Sequence, residues 1–368
     1  MPTRNHLLPK INAAFDFAEV QLRRLVETAP DQFPFYTTRG KWDFSADPWT
    51  NWCEGFLGGQ LWLIYERNRD PWWLEKAEHY SRLIESRKTD RNVHDLGFLF
   101  WPTYKRWYDL TSDPSLNEVV IQAGNTLSLR FQEPGQYLCS FLSENSLFID
   151  IMMNVGIIFY AAQQTGDLEL FRRANQHCLT TRRYLVRGDG STAHEGIFDP
   201  KSGEFLYQNT QQGFRNDSCW ARGLAWGLYG FSTAYEFTHD ARFLATAEHL
   251  ANFYVERTTR DCIPPNDWDE INPKFSFESS AAAIAAGGFW NLSKYTTDPF
   301  KARFYHNYAV QILDTLISSD FLAINTSGWE GILKHGIYHI HKNLGVDESV
   351  MWGDYFFLET LSKVMRDA

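Results

Sequence analysis

The stretch YERNRDPWWLEKAEHY (residues 65–80) decides the fold, because its pattern returns as YEFTHDARFLATAEHL (residues 235–250). Tyr-Glu, Asp, Leu and Ala-Glu-His fall at the same offsets in both copies, and weaker copies surround residues 108–114, 163–174 and 294–304. Each copy has a Thr or Asn, one further residue and then an Asp before an amphipathic stretch. Asp is a good helix N-cap, and the Pro that follows it in three copies suits the first helical position. Each copy therefore predicts a short joint between two helices.

The segments on the two sides of these joints differ in character. Six segments, five before the joints and one near the end of the chain, are rich in Gly, Ala and aromatic residues and are apolar on nearly every side, as buried helices are. They are residues 52–66, 94–109, 149–164, 217–236, 278–295 and 349–364. The segments after the joints and the opening stretch 11–28 are amphipathic and charged.

Inner and outer helices thus alternate along nearly the whole chain, at about sixty residues per pair, which is typical of a helical repeat. The sequence predicts an all-α fold, a closed (α/α)6 barrel in which the starts of the six inner helices line one mouth. An open solenoid is the alternative, and the lack of polar capping repeats disfavours it. No linker-like stretch divides the 368 residues, so we expect a single catalytic domain over residues 1–368.

Composition excludes several classes of function. The formal net charge is −10 and no Lys/Arg cluster occurs, which argues against a nucleic-acid partner. The apolar runs are too short for a membrane-spanning helix, and the first twenty residues lack the apolar stretch of a signal peptide. The five cysteines form no CxxC pair, so neither a disulfide framework nor a zinc site is expected. We therefore expect a soluble cytoplasmic protein, a monomer or weak homo-oligomer, without a membrane partner.

Most chemically capable residues lie at or just before the predicted starts of the inner helices. They are Trp52, His94, Asp95, Asp150, His194, Gln212, Asp217, Arg222 and Trp226. If the barrel is closed, these positions converge on one mouth. Two long loops, residues 186–216 and 258–277, lead into inner helices, and loops of that length inside a compact domain are often functional.

Two aspartates sit in apolar surroundings, Asp95 in VHDLGFLFW (93–101) and Asp150 in LFIDIMMN (147–154). Burial and mutual repulsion raise the pKa of a carboxyl group, and a raised pKa keeps one group protonated near neutrality, as a general acid must be. The alternative is that both are helix N-caps bonded to backbone amides, which is the commoner role of a single Asp at a helix start. The pairing of the two favours acid–base chemistry without excluding capping.

Arg222 lies four residues before Trp226, so the two share one helix face. An Arg in this setting either pairs with a buried carboxylate, such as that of Asp217, or binds a substrate anion. Trp52, Phe141 and Trp226 could stack on a sugar ring, although core packing explains any single aromatic residue as well. The chain has no phosphate-binding Gly-rich loop, no GxSxG and no HExxH motif.

Together these motifs resemble the unsaturated glucuronyl hydrolases, glycoside hydrolase family 88. The resemblance rests on WCEGFLGGQLWLIYE, HDLGFLF, FIDIMMN, NTQQGFRNDSCWARGLAWGLYGF, ESSAAAIAA and WGDYFFLETL, which follow the family's order over roughly residues 50–360. It implies an (α/α)6 barrel and an enzyme that acts on oligosaccharides left by polysaccharide lyases. Such an enzyme hydrates the C4=C5 vinyl ether of the terminal 4,5-unsaturated uronic acid, and the hemiketal that results collapses and expels the rest of the saccharide.

The resemblance also implies roles for single residues. Asp150 matches the family's general acid/base and Asp95 the aspartate that assists it. His194, Gln212, Arg222, Trp226 and Trp52 match residues around the sugar, and we place His94 and Phe141 in the same substrate-binding set. Neither a metal nor an organic cofactor is implied, so we expect none.

The chain departs from the family's usual pattern at several positions. Phe141 stands where a Trp is usual, RNDS (215–218) replaces Ser-Asp-Asp-Ser, and Leu224 replaces Gln. Arg215 would add a cation close to the site. These changes bear on the identity of the leaving saccharide, including any preference for sulfated units, and not on the chemistry.

Three alternative functions stay open on the sequence. An unsaturated rhamnogalacturonyl hydrolase would share fold and reaction, but the WARGLAWGLYGF motif argues against it. A sugar epimerase or isomerase on the same barrel would use histidines as acid and base, whereas the central polar residues here are mostly Asp. A catalytically inactive binding protein is disfavoured by the presence of both Asp95 and Asp150.

Overall fold

The computed structural model describes residues 4–45, 50–271, 273–275 and 277–367, and these ranges are mostly helical. In chain order the helices are α1 (Arg4–Thr28), α2 (Glu54–Asn68), α3 (Pro71–Leu83), α4 (Leu96–Phe100), α5 (Arg106–Thr111), α6 (Pro114–Ser128), α7 (Ile151–Asn154), α8 (Gly156–Thr165), α9 (Leu168–Leu185), α10 (Ala221–Thr238), α11 (Ala241–Arg257), α12 (Ser279–Tyr295), α13 (Pro299–Ile317) and α14 (Met351–Arg366). A π-helical segment, Trp101–Lys105, joins α4 to α5, so the two act as one inner helix. Helices α7 and α8 likewise follow each other almost without a break.

The inner helices form a closed ring. Going round it, α2 packs on α4, α4 on α7, α7 on α10, α10 on α12 and α12 on α14, and α14 returns to α2. The outer layer consists of α1, α3, α6, α9, α11 and α13, and its first and last members also meet. The predicted (α/α)6 barrel is therefore confirmed, and the open solenoid is wrong.

The predicted joints are helix caps. An Asp side chain accepts a hydrogen bond from a backbone N–H of the first turn at the start of α3, α6, α9, α11 and α13. These caps are Asp70, Asp113, Asp167, Asp240 and Asp298. In four of the joints the residue before the Asp adopts a positive φ, which ends the preceding inner helix, and the Thr or Asn before that residue accepts the N–H of the Asp. The Thr/Asn-x-Asp pattern thus terminates one helix and starts the next.

Glycines let neighbouring inner helices approach closely. A Cβ atom on Gly55 of α2 would lie 2.3 Å from the carbonyl oxygen of Phe98, and one on Gly230 of α10 would lie 2.5 Å from that of Met152. Small residues on the inner segments therefore let large rings elsewhere fill the core at high density. None of the helices in the described ranges is both long and apolar enough to cross a membrane.

Short antiparallel strands lie within the loops that lead into the inner helices. They are β1 (Thr37–Thr38), β2 (Lys41–Trp42), β3 (Phe131–Gln132), β4 (Tyr137–Leu138), β5 (Ser146–Phe148), β6 (Glu195–Phe198), β7 (Phe205–Asn209), β8 (Gly336–His339) and β9 (Leu344–Glu348). The pairs are β1–β2, β3–β4 and β8–β9, and β5, β6 and β7 form a three-stranded sheet. The long loop 186–216, expected to be irregular, thus contains β6 and β7. These strands are only two to five residues long, which is too short for alternation of polar and apolar residues to reveal them.

Candidate active site

A cleft of about 720 Å³ opens at the mouth where the inner helices begin. Eight of the nine predicted site residues line it, namely Trp52, His94, Asp95, Phe141, Asp150, Gln212, Arg222 and Trp226. The ninth, His194, is buried behind Asp150. Positions up to 174 residues apart in the chain therefore meet in one pocket, as the closed barrel requires.

The two aspartates lie at the N-terminal ends of inner helices but do not cap them. Asp95 precedes α4 and Asp150 precedes α7, yet neither side chain accepts a hydrogen bond from its own helix. The helix-cap interpretation is therefore wrong for both. The Oδ1 atom of Asp150 is buried and has no hydrogen-bond partner among the described residues.

Burial dominates the ionisation of both carboxyl groups. It raises the pKa of Asp150 to about 7, although the nearby Arg222 charge acts in the opposite direction. Burial, followed by the charge of Asp150, also raises the pKa of Asp95 well above its usual range. The site therefore favours the acid form of Asp95 and leaves Asp150 poised between its two forms near neutral pH, which is what acid–base chemistry at that pH needs.

Each aspartate faces a neutral histidine. The N–H of Phe141 donates to Nδ1 of His94 at 3.0 Å, and Nε2 of His94 lies 3.3 Å from Oδ1 of Asp95. Because a backbone N–H can only donate, Nδ1 is the acceptor and the proton of the neutral ring is on Nε2, facing the carboxyl group. Burial lowers the pKa of His94 well below its usual value, so the ring stays neutral.

His194 repeats this arrangement behind Asp150. Its Nδ1 atom accepts from the N–H of Gln211 at 3.1 Å and from that of Gln212 at 3.4 Å, which places the ring proton on Nε2. Nε2 lies 3.9 Å from Oδ1 of Asp150. Burial, with a contribution from Arg222, lowers the pKa of His194 to about 3. His194 thus holds the loop that carries Gln212 and presents a neutral N–H toward Asp150.

Arg222 is buried in the wall of the cleft and tethers the β8–β9 hairpin. Its guanidinium donates to the backbone carbonyls of Ile337 and Tyr338 and to Oε1 of Gln212. The carboxylate nearest to it is that of Glu278, at 4.0 Å. Of the two alternatives left open for Arg222, the pair with Asp217 is not formed.

Asp217 instead lies on the surface, where it accepts from Nε of Arg215 at 2.6 Å. Arg215 also lies 3.8 Å from Asp269, and it is not one of the residues that line the cleft. The charge of Arg215, which was expected close to the site, is therefore compensated by the carboxylates of Asp217 and Asp269, and Arg215 lies outside the pocket.

The predicted aromatic residues divide into two kinds. Trp52 and Phe141 are partly exposed at the cleft, and Phe141 stacks on the ring of His94 with centroids 5.6 Å apart. Trp226 lines the cleft but is 1% exposed and packs on Phe98. Trp52 and Phe141 are therefore better placed than Trp226 to offer a face to a sugar.

Several lining residues were not predicted from the sequence. Tyr338, His339 and Lys342 come from the β8–β9 hairpin, and Gln211 comes from the loop after β7. The run HIHK (339–342) could have indicated these hairpin residues, because it precedes an inner helix as most of the predicted site residues do. Thr50, Phe98, Leu142 and Phe148 complete the lining.

The residues of the site show no metal-binding arrangement. Within the described ranges, no group of three or more His, Cys, Asp or Glu side chains is placed to hold a metal ion. The expectation of no cofactor stays a prediction.

Comparison with known proteins agrees with the geometry. The sequence model of Glycosyl Hydrolase Family 88 matches residues 23–263 of the chain. The chain belongs to glycoside hydrolase family 88. It is therefore a glycosidase, and the family 88 match covers both aspartates, His194 and Arg222.

Relatives of this family 88 enzyme extend the likeness over nearly the whole chain. An unsaturated glucuronyl hydrolase of Formosa agariphila is 33% identical, over 86% of this chain and 80% of the relative. An unsaturated chondroitin disaccharide hydrolase of Streptococcus pyogenes is 30% identical, over 97% of this chain and 92% of the relative. The crystal structure of an unsaturated glucuronyl hydrolase specific for heparin superposes with a TM-score of 0.91 at 30% identity, covering 98% of each chain.

Proposed function

We propose that this family 88 enzyme removes a 4,5-unsaturated glucuronic acid residue from the non-reducing end of lyase-generated oligosaccharides. Relatives named unsaturated glucuronyl hydrolase and unsaturated chondroitin disaccharide hydrolase support this substrate class. The single observation that carries the proposal is the state of Asp150. Its carboxyl group faces the cleft with an unpartnered oxygen, and burial raises its pKa to about 7.

The proposed chemistry is hydration of a vinyl ether. Asp150 in its acid form gives its proton to C4 of the unsaturated ring, and positive charge develops at C5. A water molecule adds its oxygen to C5, and the carboxylate of Asp150 takes a proton from that water. The net step adds one water across C4=C5 and returns Asp150 to its starting state. The hemiketal opens by breaking the bond from C5 to the ring oxygen, which gives a ketone at C5 and leaves C1 as a hemiacetal. The hemiacetal then loses the leaving saccharide, whose oxygen takes the proton of the C1 hydroxyl group, and an open-chain keto acid with an aldehyde at C1 remains.

Asp95 supports this step in the proposal. Because its pKa is raised, Asp95 is neutral in the proposed mechanism. A charged Asp95 would raise the pKa of Asp150 further, and the neutral form does not. A neutral carboxyl group is also a hydrogen-bond donor, and it can hold a hydroxyl group of the sugar. We assign Asp95 to assistance and substrate binding for these reasons.

We further propose that Arg222 orients the substrate's carboxylate through its charge. The guanidinium of Arg222 donates to Gln212 and to two hairpin carbonyls, which are all neutral acceptors. The nearest carboxylate, that of Glu278, lies 4.0 Å away. A buried cation that is only partly compensated attracts an anionic ligand strongly because the local dielectric is low. Gln212, which Arg222 holds, would then contact the sugar directly.

The histidines do not favour the epimerase alternative. An acid–base pair of histidines needs one ring to be charged near neutral pH, whereas burial lowers the pKa of His194 to about 3 and that of His94 well below its usual value. Both Nδ1 atoms are also occupied by backbone N–H groups. None of the relatives described above is named an epimerase or a rhamnogalacturonyl hydrolase.

The experiment is an ultraviolet assay on unsaturated disaccharides released by lyases from chondroitin, heparin, xanthan and gellan. Hydration destroys the conjugated C4=C5–carboxylate chromophore, so absorbance should fall with at least one substrate. Sulfated and unsulfated members of each pair show which leaving saccharide is preferred. Persistent absorbance with every substrate would overturn the proposal.

The cellular setting also remains a proposal. All five cysteines are buried and unpaired, which supports a reducing compartment such as the cytoplasm. The absence of a nucleic-acid partner rests on the acidic net charge and the lack of a Lys/Arg cluster, and the monomeric or weakly associated state stays an expectation.

A further inference from the structure

The first turn of helix α4 has an unusual cap. With Asp95 at the N-cap position, Phe98 is the third residue of the helix, and its N–H is the one that an N-cap side chain ordinarily binds. Here that N–H donates instead to Oδ1 of Asn154, at 2.8 Å. Asn154 is fully buried at the end of α7, 56 positions further along the chain.

The orientation of the Asn154 amide follows from this contact. A backbone N–H can only donate, so the atom that it meets is the oxygen, and the Nδ2 atom must point the other way. There Nδ2 lies 3.5 Å from Oδ1 of Asp95 and 3.3 Å from the backbone carbonyl oxygen of Asp150. One amide group therefore touches the segments of both aspartates.

Gly97 is what allows Asn154 to reach α4. A Cβ atom at position 97 would lie 2.6 Å from Cα and 2.8 Å from Oδ1 of Asn154. Any larger residue would push α7 away from the first turn of α4. The Gly of HDLGF and the Asn of FIDIMMN thus form one contact, although they belong to separate motifs.

We propose that Asn154 is a positioning residue that caps helix α4 in place of Asp95 and thereby releases the Asp95 carboxyl group to face the cleft. Without Asn154, the Asp95 side chain, which already occupies the N-cap position, could accept from the Phe98 N–H by rotating into the usual N-cap geometry. The same amide donates to Asp95 and so holds it in its functional rotamer. The consequence for turnover rests on the proposed function, whereas the rotamer of Asp95 does not.

The test is a crystal structure and a kinetic comparison of Asn154→Ala with the wild-type enzyme. We expect the Asp95 carboxyl group in the variant to lie about 3 Å from the Phe98 nitrogen, and kcat to fall by about 100-fold, as misplacement of a reacting group by about 1 Å typically causes. The alkaline limb of the pH–rate profile should move to higher pH as well, because a backbone donor favours the carboxylate form of Asp95, and that charge would raise the pKa of Asp150. An unmoved Asp95, with kcat and the pH profile unchanged, would overturn the proposal.

Two further variants separate positioning from general stability. Asn291 of α12 also bridges two inner helices, through Nδ2 to Ser232 Oγ at 3.3 Å, so Asn291→Ala is the matched control and should leave the pH profile unchanged. Asn154→Asp keeps an acceptor for the Phe98 N–H but loses the donor to Asp95. We expect the Asp95 carboxyl group in Asn154→Asp to stay off the Phe98 N–H, because that N–H keeps its acceptor at position 154. Rotation of Asp95 onto Phe98 in that variant would contradict the capping role even if Asn154→Ala did not fold.

These outcomes stay separate from the fate of the proposed function. If the wild-type enzyme consumed no unsaturated saccharide, the hydration mechanism would fail. The position of Asp95 in the Asn154 variants would still decide whether Asn154 sets its rotamer.

Discussion

The Nε2 atom of His194 lies 3.9 Å from Oδ1 of Asp150, and neither atom has a hydrogen-bond partner among the described residues. The ring nitrogen carries a proton because Nδ1 is engaged by the backbone of the 211–212 loop. A neutral N–H beside a carboxyl group stabilises the carboxylate that remains once the proton has left. His194 therefore connects the loop that carries Gln212 to Asp150.

The pH dependence of kcat/KM follows from the ionisation of Asp150. In the proposed mechanism its acid form donates the proton, and burial raises its pKa to about 7. We expect kcat/KM to be nearly flat on the acidic side and to fall about tenfold per pH unit above pH 7. The ultraviolet assay between pH 5 and 9 measures this, and a rate that still rises above pH 8 would be inconsistent with Asp150 as the acid.

Replacing Asp150 by Asn should abolish turnover and stabilise the fold. We expect kcat to fall by about four orders of magnitude, since an amide cannot serve as the acid. The control is Asp217→Asn, the same change at a side chain that is 78% exposed and outside the cleft, and it should leave kcat within about twofold. Comparable rates for the two variants would assign the acid elsewhere.

The stability of Asp150→Asn should depend on pH. The folded-state pKa of Asp150 is raised above its ordinary value of 3.8, so the wild-type protein loses stability as pH rises from about 4 to about 7, and the loss is then constant. At pH 8 we expect Asp150→Asn to be about 1–3 kcal/mol more stable than wild type, less than a three-unit shift would imply because the side chain is partly exposed. Urea unfolding at pH 4.5 and pH 8 tests this, and equal gains at both values would speak against the raised pKa.

Two substitutions of His194 should separate its two nitrogens. Asn places an oxygen near the position of Nδ1, so His194→Asn should keep the loop bonds and most of the stability but lose the N–H toward Asp150. We expect kcat to fall by about tenfold at most, because an N–H that faces the carboxylate from 3.9 Å contributes less than a formed hydrogen bond to a charged group does. His194→Gln should do the reverse, retaining a donor near Asp150 and destabilising the fold by about 1–3 kcal/mol because the Gln211 N–H loses its acceptor. Identical behaviour of the two variants in kinetics and urea unfolding would show that the two nitrogens have no separate roles.

Arg222 should not tolerate replacement by Lys. A single ammonium group cannot serve the carbonyls of Ile337 and Tyr338 and the Gln212 side chain at the same time. We expect Arg222→Lys to lower the free energy of unfolding by about 3 kcal/mol, as breaking a buried charged network does, and to lower kcat/KM by about 100-fold. Arg215→Lys, at an exposed ion pair, is the control and should change the stability by less than about 0.5 kcal/mol. If Arg222→Lys changed the stability as little as Arg215→Lys does, the position of the β8–β9 hairpin would not depend on the Arg222 hydrogen bonds.

The joints should affect stability and not activity. Asp167 caps α9 by accepting from the N–H groups of Glu169 and Leu170, far from the cleft. We expect Asp167→Ala to cost about 1 kcal/mol of unfolding free energy with unchanged kcat/KM, and Asp167→Asn, which keeps a capping oxygen, to cost less. Loss of activity in proportion to the loss of stability would argue that the outer helices influence the site directly.

Much of the barrel was predictable because its signals are local. Each Thr/Asn-x-Asp joint ends one helix and caps the next within a few residues, and the apolar inner segments show their burial in their own composition. The convergence of most predicted site residues on one mouth followed from the alternation of inner and outer helices, whereas Asp217 lies outside the cleft. The short strands at the mouth were missed because two to five residues carry too little pattern.

The sequence by itself determined the helix order, the alternation of inner and outer helices and the identity of the two aspartates. Only the tertiary structure decided what each side chain binds. Asp95 could cap its own helix or face the cleft, and Asn154, 56 residues distant from Phe98, takes the capping bond and settles the choice. Arg222 could pair with nearby Asp217 or with a distant carboxylate, and the fold places Glu278 and the β8–β9 hairpin against it. In both cases the partners available to a polar side chain are nearly equal in local energy, so groups brought in from remote parts of the chain determine which hydrogen bonds form.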